Sequence, residues 1–541
     1  MRLFLLTSAT LILISCAAEP AQEVQPFGPS ASDYAAIVEQ KFAAKDWTAK
    51  TLPELSDALA AGEYSSADLT QAYLDRIDSI DRAGPHLQSI LALNPDAMEQ
   101  AKASDERRKI GDELGPLDGI PILFKDNIET LDPMATTAGS YALKDNTTER
   151  DSPLVAGLRK QGAVILGKTN LSQWANFRSN ESVSGWSALG GQVHNPHMLD
   201  RSPCGSSSGS GAAVAASLTA GAVGTETNGS IICPSNVNGI VGFKPSVGLV
   251  SQQYIVPISE TQDTAGPMTK TVRGAAMMMA AMDNQDVDYA AALDAQALAG
   301  SRVGVLRFAE GSNDDIIERF NLALKAMEDA GATLIEIEES TRDIENYGQK
   351  SYDLLLYEFK AGLDNYLANA APAVTTRNLE QLIAFNANEA RETAIFDQDI
   401  FEAAQAKGPL TDDGYLEAKA DLYRGTGPGG IDRMMDENNV DMLVSPSGPL
   451  ASRIDPVNGD VWPSWAGAGN LAAVAGYPHI TVPMGDVHGV PIGFSIMAGK
   501  GQDAAVLSYG YAFEQAGGQR VEPKYLRSAE DRPELRRAMR P

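Results

Sequence analysis

The sequence predicts an α/β fold in which helices flank a mixed β-sheet core on both faces of one large domain. Three observations support this prediction. Apolar residues make up 43% of the 541 residues and charged residues 21%, which is a globular composition. Short apolar strand signals alternate with helical patterns along most of the chain. No linker is recognisable after residue 32, so residues 33–541 are predicted to form one domain.

The spacing of apolar residues predicts the order of the elements. Apolar residues at intervals of three and four predict helices at 51–81 (as two helices), 96–109, 153–160, 314–330 and 504–515. Short apolar runs predict strands at 90–93, 121–124, 164–166, 303–307, 333–337, 442–444, 479–482 and 492–497. The stretch 341–438 is predicted to be mostly helical.

The first residues predict a targeting segment. Residues 1–15 combine a basic start with an apolar stretch that is too short to span a bilayer. Leu-Ile-Ser-Cys, ending at Cys16, resembles the lipobox of bacterial lipoproteins, which predicts cleavage before Cys16 and a lipid anchor on it. An ordinary signal peptide is the alternative, and either one exports the protein to the periplasm or cell envelope. Residues 16–32 are rich in Ala, Pro and Glu, which predicts a flexible tether.

Charge and residue usage exclude several classes of function. Lys and Arg total 43 against 71 Asp and Glu, which gives a formal net charge of −28. Such a surface repels phosphate backbones, so nucleic acid is not an expected partner. Three cysteines are too few for a disulfide scaffold, and five histidines leave little material for a zinc cluster.

Three blocks at 115–126, 202–211 and 224–231 carry the densest chemical signal. Glycine-rich turns let consecutive backbone N–H groups converge on one point, as in an oxyanion hole. A serine beside them is a candidate nucleophile, but its hydroxyl needs a base near neutral pH. No histidine lies in these blocks. Lys125 ends an apolar strand, where burial would lower its pKa and make a neutral amine available as the base. Spacing alone does not select one serine.

The three blocks, in this order, resemble the amidase signature family, most strongly over residues 115–251. The resemblance implies a Ser–cis-Ser–Lys catalytic set. Lys125, after Gly-Ile-Pro and an apolar strand, matches the catalytic lysine. Ser206, the first serine after Gly205, matches the relay serine, and Ser230 in Asn-Gly-Ser-Ile matches the nucleophile. The backbone N–H groups that match the oxyanion hole are those of Thr227, Asn228, Gly229 and Ser230.

The resemblance also implies a reaction and a substrate class. The reaction is amide hydrolysis through an acyl-enzyme, without a metal or organic cofactor, on a small-molecule or peptide amide. Pro-Cys-Gly-Ser-Ser-Ser-Gly-Ser-Gly at 203–211 is similar to the bacterial peptide amidase branch, which hydrolyses C-terminal carboxamides of peptides. The chain departs from the usual family turn at two positions, where Asn228 replaces Gly and Ile232 replaces Arg.

Alternatives remain open at this point. Gly-Ser-Ser-Ser-Gly at 205–209 also fits the G-x-S-x-G nucleophile elbow of an α/β-hydrolase-type esterase, with Ser207 as nucleophile and His479 or His488 as base. The chain could also be a catalytically idle lipoprotein that binds peptides on an amidase fold. Cys204 and Cys233 flank the candidate serines and could form a disulfide or remain buried thiols.

Overall fold

The computed structural model describes residues 47–283, 285, 287–462 and 465–539. The predicted signal peptide, Cys16 and the tether at 16–32 lie outside the described residues. Within the described ranges, no helix combines the length and the apolar character that a membrane span requires.

An 11-stranded mixed sheet forms the centre of the fold. Its strands and those of a separate two-stranded ribbon are β1 (Ile90–Leu93), β2 (Pro121–Lys125), β3 (Val164–Thr169), β4 (Trp186–Ser187), β5 (Gly191–Gln192), β6 (Gly221–Glu226), β7 (Val241–Lys244), β8 (Thr264–Thr269), β9 (Arg302–Leu306), β10 (Thr333–Ile337), β11 (Met442–Pro446), β12 (His479–Val487) and β13 (Val490–Met497). The order in the large sheet is β1-β3-β2-β6-β8-β7-β12-β13-β11-β9-β10, and β4 pairs with β5.

Parallel and antiparallel pairs are mixed in the large sheet, as predicted. Strands β3, β2 and β6 run parallel to one another, and so do β11, β9 and β10. The strands between these groups pair in antiparallel fashion. Strands β2, β3, β6, β7 and β8 are buried along their whole length, so both faces of the sheet are covered there.

Helices flank this sheet. They are α1 (Leu52–Ala60), α2 (Ser66–Arg76), α3 (Ala97–Ile110), α4 (Pro153–Lys160), α5 (Ser208–Ala215), α6 (Ile232–Asn238), α7 (Val272–Met282), α8 (Asp314–Asp329), α9 (Tyr347–Ala368), α10 (Leu379–Asn388), α11 (Asp399–Gln405), α12 (Asp413–Thr426), α13 (Arg433–Asn438), α14 (Gly469–Ala475), α15 (Asp503–Ala516) and α16 (Pro533–Met539). The predicted helices and strands are all present, with ends shifted by a few residues.

Two apolar cores support the site. The larger core surrounds the sheet. A second core joins α9, α10 and α11 to the aromatic side chains of Trp174 and Phe177. Helices α9 to α13 occupy most of 341–438, which confirms the prediction of a mostly helical stretch. Three of these helices pack onto the loops beside β2 and β3 through the second core.

The sheet brings two of the sequence blocks together. Strands β2 and β6 are parallel neighbours, with Ile122 opposite Gly221 and Phe124 opposite Val223. Their carboxyl ends therefore meet at the same edge of the sheet. Lys125 ends β2, and the turn at 227–231 follows β6. Helix α5 brings the remaining block, residues 202–211, to this edge, because it begins directly after Ser207.

Candidate active site

Lys125 is fully buried and is surrounded by oxygen atoms. Its Nζ atom lies 2.7 Å from Ser206 Oγ, 2.8 Å from Thr225 Oγ1 and 3.2 Å from the Thr225 carbonyl oxygen. Asn127 Nδ2 also donates to Thr225 Oγ1, at 3.0 Å. The amine is thus held by two groups of Thr225 on one side and faces a candidate catalytic serine on the other.

The charge state of Lys125 follows from these surroundings. Burial lowers its pKa to about 7, against the opposing effect of the Asp263 and Glu226 carboxylates. A neutral amine has two N–H donors and one lone pair, and a hydroxyl or carbonyl oxygen accepts up to two bonds. Both donors are satisfied by Thr225 Oγ1 and the Thr225 carbonyl oxygen. The lone pair is then left for the hydroxyl proton of Ser206.

Ser206 and its neighbour Ser207 have different surroundings. The Gly205–Ser206 peptide bond is cis, as the family resemblance implies. Ser207 Oγ donates to the Thr225 carbonyl oxygen at 3.0 Å and accepts from the Thr225 N–H at 3.2 Å. The Ser207 hydroxyl therefore fastens its segment to the backbone of β6.

These contacts do not fit the nucleophile-elbow interpretation of Ser207. Its hydroxyl is engaged with backbone groups, and the two downstream histidines contact other residues. His479 Nε2 lies 2.6 Å from Ser495 Oγ, and His488 Nε2 lies 3.9 Å from Asp315 Oδ2.

Ser230 lies on the turn between β6 and α6 and is 8% exposed. Glu226 Oε2 accepts from the N–H groups of Ile231 at 2.7 Å and Ile232 at 3.0 Å. The Ser207 N–H donates to the Ser230 carbonyl oxygen at 3.2 Å. The turn is therefore anchored to its own strand, and its backbone at Ser230 is hydrogen-bonded to the Ser206–Ser207 segment.

The turn also presents backbone donors. Gly229 has a φ of +83°, in the region that favours glycine, and a side chain there would point into open space. In the described part of the chain, the N–H groups of Asn228, Gly229 and Ser230 have no protein acceptor. These three predicted oxyanion-hole donors are thus free to bind an oxygen atom.

Cys204 and Cys233 form a disulfide bond, with their Cα atoms 5.9 Å apart. Cys204 precedes the Gly205–Ser206 bond, and Cys233 lies in α6 just after the turn that carries Ser230. The bond ties the two serine-bearing segments together. It resolves the alternative between a disulfide and free thiols that the sequence left open.

Sequence reasoning missed the residues that support the site. Asp263, in the loop before β8, accepts from Thr227 Oγ1 at 2.6 Å and from the N–H groups of Ile258 at 2.7 Å and Ser259 at 2.9 Å. Burial raises the pKa of Asp263 to about 6. No motif marks this aspartate. Thr225 does lie within the third block, but its role became visible only from its contacts with Lys125.

Two cavities flank the turn at 227–231. The first, the apolar cavity, is lined by Thr225, Thr227 and the segment 255–258, among others. The second, which we call the cleft, is lined by the disulfide, by Glu226 and Gly229 on the turn and by residues of the later strands and loops. Among the residues described, no cluster of His, Cys, Asp and Glu could hold a metal ion.

Known proteins share both the sequence and the fold of this chain. The Amidase family profile matches residues 68–507. A probable amidase of Arabidopsis thaliana is 33% identical over 501 residues, which cover 88% of this chain and 91% of the relative. A glutamyl-tRNA(Gln) amidotransferase sequence from Halorhodospira halophila is 33% identical over 505 residues, which cover 86% of this chain and 97% of that one.

A solved structure extends the similarity to three dimensions. The native peptide amidase from Stenotrophomonas maltophilia superposes with a TM-score of 0.83 at 43% identity, covering 88% of this chain and 98% of that one. The fold and these matches define an enzyme class, the hydrolases that act on amide bonds. Within that class, the chain belongs to the amidase signature family.

Proposed function

We propose that this protein is a serine amidase that hydrolyses carboxamide bonds through an acyl-enzyme. One observation carries the proposal above all others. A buried Lys125 amine, with its pKa lowered to about 7, lies 2.7 Å from the hydroxyl of Ser206. This pair is a base and a proton relay in a place that excludes water. Ser230 supplies the nucleophile beside it.

The proton moves in two coupled transfers. Neutral Lys125 accepts the hydroxyl proton of Ser206 while Ser206 accepts the proton of Ser230. Ser230 Oγ then forms a bond to the amide carbonyl carbon. The relay runs in reverse to protonate the departing nitrogen, which leaves as ammonia or an amine. Water enters, loses a proton along the same path and attacks the ester, which releases the acid and restores Ser230.

The turn stabilises the charge that develops in this reaction. The carbonyl oxygen becomes negative in the tetrahedral intermediate, and the N–H groups of residues 227–230 converge on it. Removing one such donor from an oxyanion hole costs about 3–4 kcal/mol of transition-state stabilisation in other enzymes. The anchoring of the turn by Glu226 and by the Cys204–Cys233 disulfide keeps these donors in place before substrate binds.

We propose C-terminal amides of peptides, or small amides, as the substrates. The 43% identity to the peptide amidase of Stenotrophomonas maltophilia over nearly its full length supports this assignment. Helix α9 packs against the segment 255–258 that lines the apolar cavity, through the contact of Gly362 with Pro257. We propose that this helical stretch shapes one side of the substrate channel.

A fluorophosphonate probe and an ammonia assay test the function together. We expect the probe to label Ser230 and the enzyme to release ammonia from a peptide amide. Ser230→Ala should lose both signals while its melting temperature stays near that of the wild type. Ser56→Ala removes a hydroxyl that donates to the Pro116 carbonyl oxygen and contacts none of the three candidate catalytic residues, so it serves as the control that retains labelling. Labelling of the Ser230→Ala variant with continued turnover would exclude Ser230 as the nucleophile.

We further propose that the enzyme is exported as a lipoprotein of the periplasm or cell envelope. The lipobox-like sequence at Cys16 and the Cys204–Cys233 disulfide, a bond typical of oxidising compartments, support this location. Export would separate the enzyme from cytoplasmic charged tRNA. Metabolic labelling with palmitate should modify the full-length chain, and Cys16→Ser should abolish that label without changing the activity of the solubilised enzyme. An unlabelled wild-type chain in the cytoplasmic fraction would contradict the proposal.

A further inference from the structure

The cleft differs in character from the apolar cavity on the other side of the turn. The apolar cavity is lined by the segment 255–258 and by polar residues that include Asp263. The described residues that line the cleft include the carboxylates of Glu226 and Asp460 and the rings of Trp462 and Trp465, but no lysine or arginine. The cleft therefore presents negative charge and aromatic surface next to the turn that carries Ser230.

Glu226 contributes an oxygen atom that has no hydrogen-bond donor. The side chain is 1% exposed, and its Oε2 atom accepts the two N–H groups that hold the turn. Its Oε1 atom has no partner among the described residues. Lys244 interacts electrostatically with Glu226, but its Nζ donates to the Pro245 carbonyl oxygen at 3.0 Å. A buried acceptor without a donor is unfavourable, so a ligand that donates to it gains free energy.

A second pair of acceptors lines the cleft around Ser184. Asp460 Oδ1 accepts from the Ser184 N–H at 3.0 Å. Asn176 Nδ2 donates to Ser184 Oγ at 3.1 Å, and its Oδ1 atom has no partner within the described ranges. Ser184 thus contacts both the Asp460 carboxylate and the Asn176 amide, and all three residues line the cleft.

The other groups of the cleft do not oppose a positive charge. Burial lowers the pKa of His479 to about 3, so its ring is neutral at physiological pH. The His479 Nδ1 atom has no partner in the part of the chain that the structure describes. The rings of Trp462 and Trp465 meet edge to face at 6.2 Å, and Trp465 is 57% exposed. The faces of tryptophan rings attract organic cations.

We propose that the cleft binds an organic cation carried by the amide substrate, either an ammonium or a guanidinium group. The inference rests on the proposed amidase function and names a substrate class for it. The candidates are peptide amides with a lysine or arginine side chain and amides with a free α-amino group. Such a group donates to Glu226 and Asn176 and faces Asp460, whereas the described residues that line the cleft include no lysine or arginine to bind an anionic substrate. The net charge of −28 also draws cations toward the enzyme.

Matched substrates test this inference. One series consists of N-acetylated peptide amides with lysine at the last, second-last or third-last position, each paired with its norleucine counterpart. A second series compares norleucine amide with and without its N-acetyl group, which separates a side-chain cation from an α-ammonium. We expect kcat/KM to be about tenfold higher for the cationic member of at least one pair, since close charge pairs in desolvated sites are strongly coupled. Added salt should lower this ratio.

Two aspartate variants assign the effect to the cleft. Asp460→Asn keeps an oxygen for the Ser184 N–H and removes the charge. We expect it to reduce the kcat/KM ratio of each lysine substrate to its norleucine counterpart about fivefold, and this ratio cancels any loss that the two substrates share. Asp455→Asn removes the same charge from an exposed turn where Asp455 accepts the N–H groups of Val457 and Asn458, and it should keep the preference. Norleucine turnover shows that each variant is folded. Trp465→Leu provides a second cleft variant and should also lower the preference for the cation.

Each outcome bears on the inference. Equal kcat/KM values in every pair would overturn it and leave the amidase function standing. A cation preference that survives Asp460→Asn and Trp465→Leu unchanged would also overturn the assignment to the cleft. If the wild type hydrolyses no amide and Ser230 is not labelled by fluorophosphonate, the proposed function fails and the substrate class fails with it.

Discussion

Lys125 and Lys168 are fully buried lysines on neighbouring strands, yet they meet different partners. In the register of β2 and β3, Lys168 lies opposite Phe124 and Lys125 lies opposite Thr169. Since side chains alternate along a strand, the two lysines point to opposite faces of the sheet. One face carries the candidate active site, and on the other face the Lys168 amine is held by a carbonyl oxygen and a threonine hydroxyl.

The amine of Lys168 has fixed hydrogen-bond acceptors. Its Nζ donates to the Ile128 carbonyl oxygen and to Thr136 Oγ1, the latter at 2.9 Å. Burial lowers the pKa of Lys168 to about 8, and the carboxylate of Asp126 is the main influence that opposes the shift. Lys168 has fixed acceptors and a counter-charge, and among the described residues no serine hydroxyl contacts its amine.

This comparison separates two conditions for a lysine base. Burial lowers the pKa of both amines, so a low pKa alone does not identify the base. Lys125 differs because its partners leave the lone pair directed at a hydroxyl that can transfer a proton. The proposed catalytic role therefore depends on the contact with Ser206, and the structural role of Lys168 depends on its hydrogen bonds to the Ile128 carbonyl oxygen and to Thr136 Oγ1.

The largest expected effect is on the rate of the Lys125→Met variant. Methionine fills similar space without a basic nitrogen, so the proton of Ser206 has no acceptor. We expect kcat to fall by about 10²–10⁴-fold on a peptide amide, the range for loss of a positioned general base. The measurement is ammonia release under saturating substrate. Activity near the wild-type level would remove Lys125 from the mechanism.

The same variant has a stability signature. The pKa of Lys125 is about 7 in the folded protein and about 10.5 in an unfolded chain. Between these values the unfolded state binds more protons, so this lysine destabilises the fold fully below pH 7 and progressively less toward pH 10. The free energy of unfolding of the wild type should therefore rise relative to Lys125→Met from pH 7 to pH 10. Parallel curves would show that the amine is not desolvated.

The next effect is the loss of stability in Lys168→Met. This change leaves the Asp126 carboxylate buried without its cation and the Ile128 carbonyl oxygen without its donor. Leaving a buried acceptor without its donor costs about 1–3 kcal/mol, so urea unfolding should shift to lower concentration. The folded fraction should retain wild-type kcat. A catalytic loss as large as that of Lys125→Met, in protein shown to be folded, would end the distinction between the two lysines.

A double variant measures the electrostatic interaction between Lys168 and Asp126. Asp126→Asn removes the unpaired charge, so Lys168→Met combined with Asp126→Asn should recover part of the lost stability. Burial raises the pKa of Asp126 to about 6, against the opposing effect of Lys168. Lys168→Met should therefore lose less stability at pH 5, where Asp126 can take up a proton, than at pH 8.

The sequence could predict much of this arrangement but not all of it. Apolar runs predicted strands β2 and β3 and placed Lys125 at a strand end, and family resemblance assigned Ser206 and Ser230. Lys168, however, lies one residue after a similar apolar run, and this local pattern does not distinguish its role from that of Lys125. The distinction arises from contacts across the fold, such as Lys125 with Ser206 and Lys168 with Thr136.

Other features that the sequence did not predict also depend on contacts across the fold. The disulfide was left open because a sequence does not show whether two cysteines come within bonding reach. Strands β6, β7 and β8 were not predicted, since they contain glycine, alanine and threonine in place of a continuous apolar run. These strands exist because both faces of the sheet are covered there, which is a property of the whole fold.

A smaller effect is expected in the pH dependence of the wild type. The base acts only when uncharged, so kcat/KM should fall about tenfold per pH unit below the pKa of Lys125, which is about 7, and reach a plateau above it. Lys168→Met should show the same fall of kcat/KM on the acidic limb of the pH–rate profile, because Lys168 lies on the opposite face of the sheet. A shift of this acidic limb in Lys168→Met would indicate that the two amines titrate together.

The smallest effect should come from Thr225→Val, which keeps the shape of the side chain and removes one acceptor of the Lys125 amine. The ammonium form has three N–H donors and needs Thr225 Oγ1, the Thr225 carbonyl oxygen and Ser206 Oγ together, so losing one acceptor disfavours the charged form most. The limb of the pH–rate profile should therefore move to lower pH, and kcat should fall about three- to tenfold as the amine loses its fixed orientation. Thr219→Val is the matched control, since Thr219 Oγ1 donates to the Pro121 carbonyl oxygen at the opposite end of β2. A limb that stays in place, or moves to higher pH, would contradict the hydrogen-bond geometry inferred for Lys125.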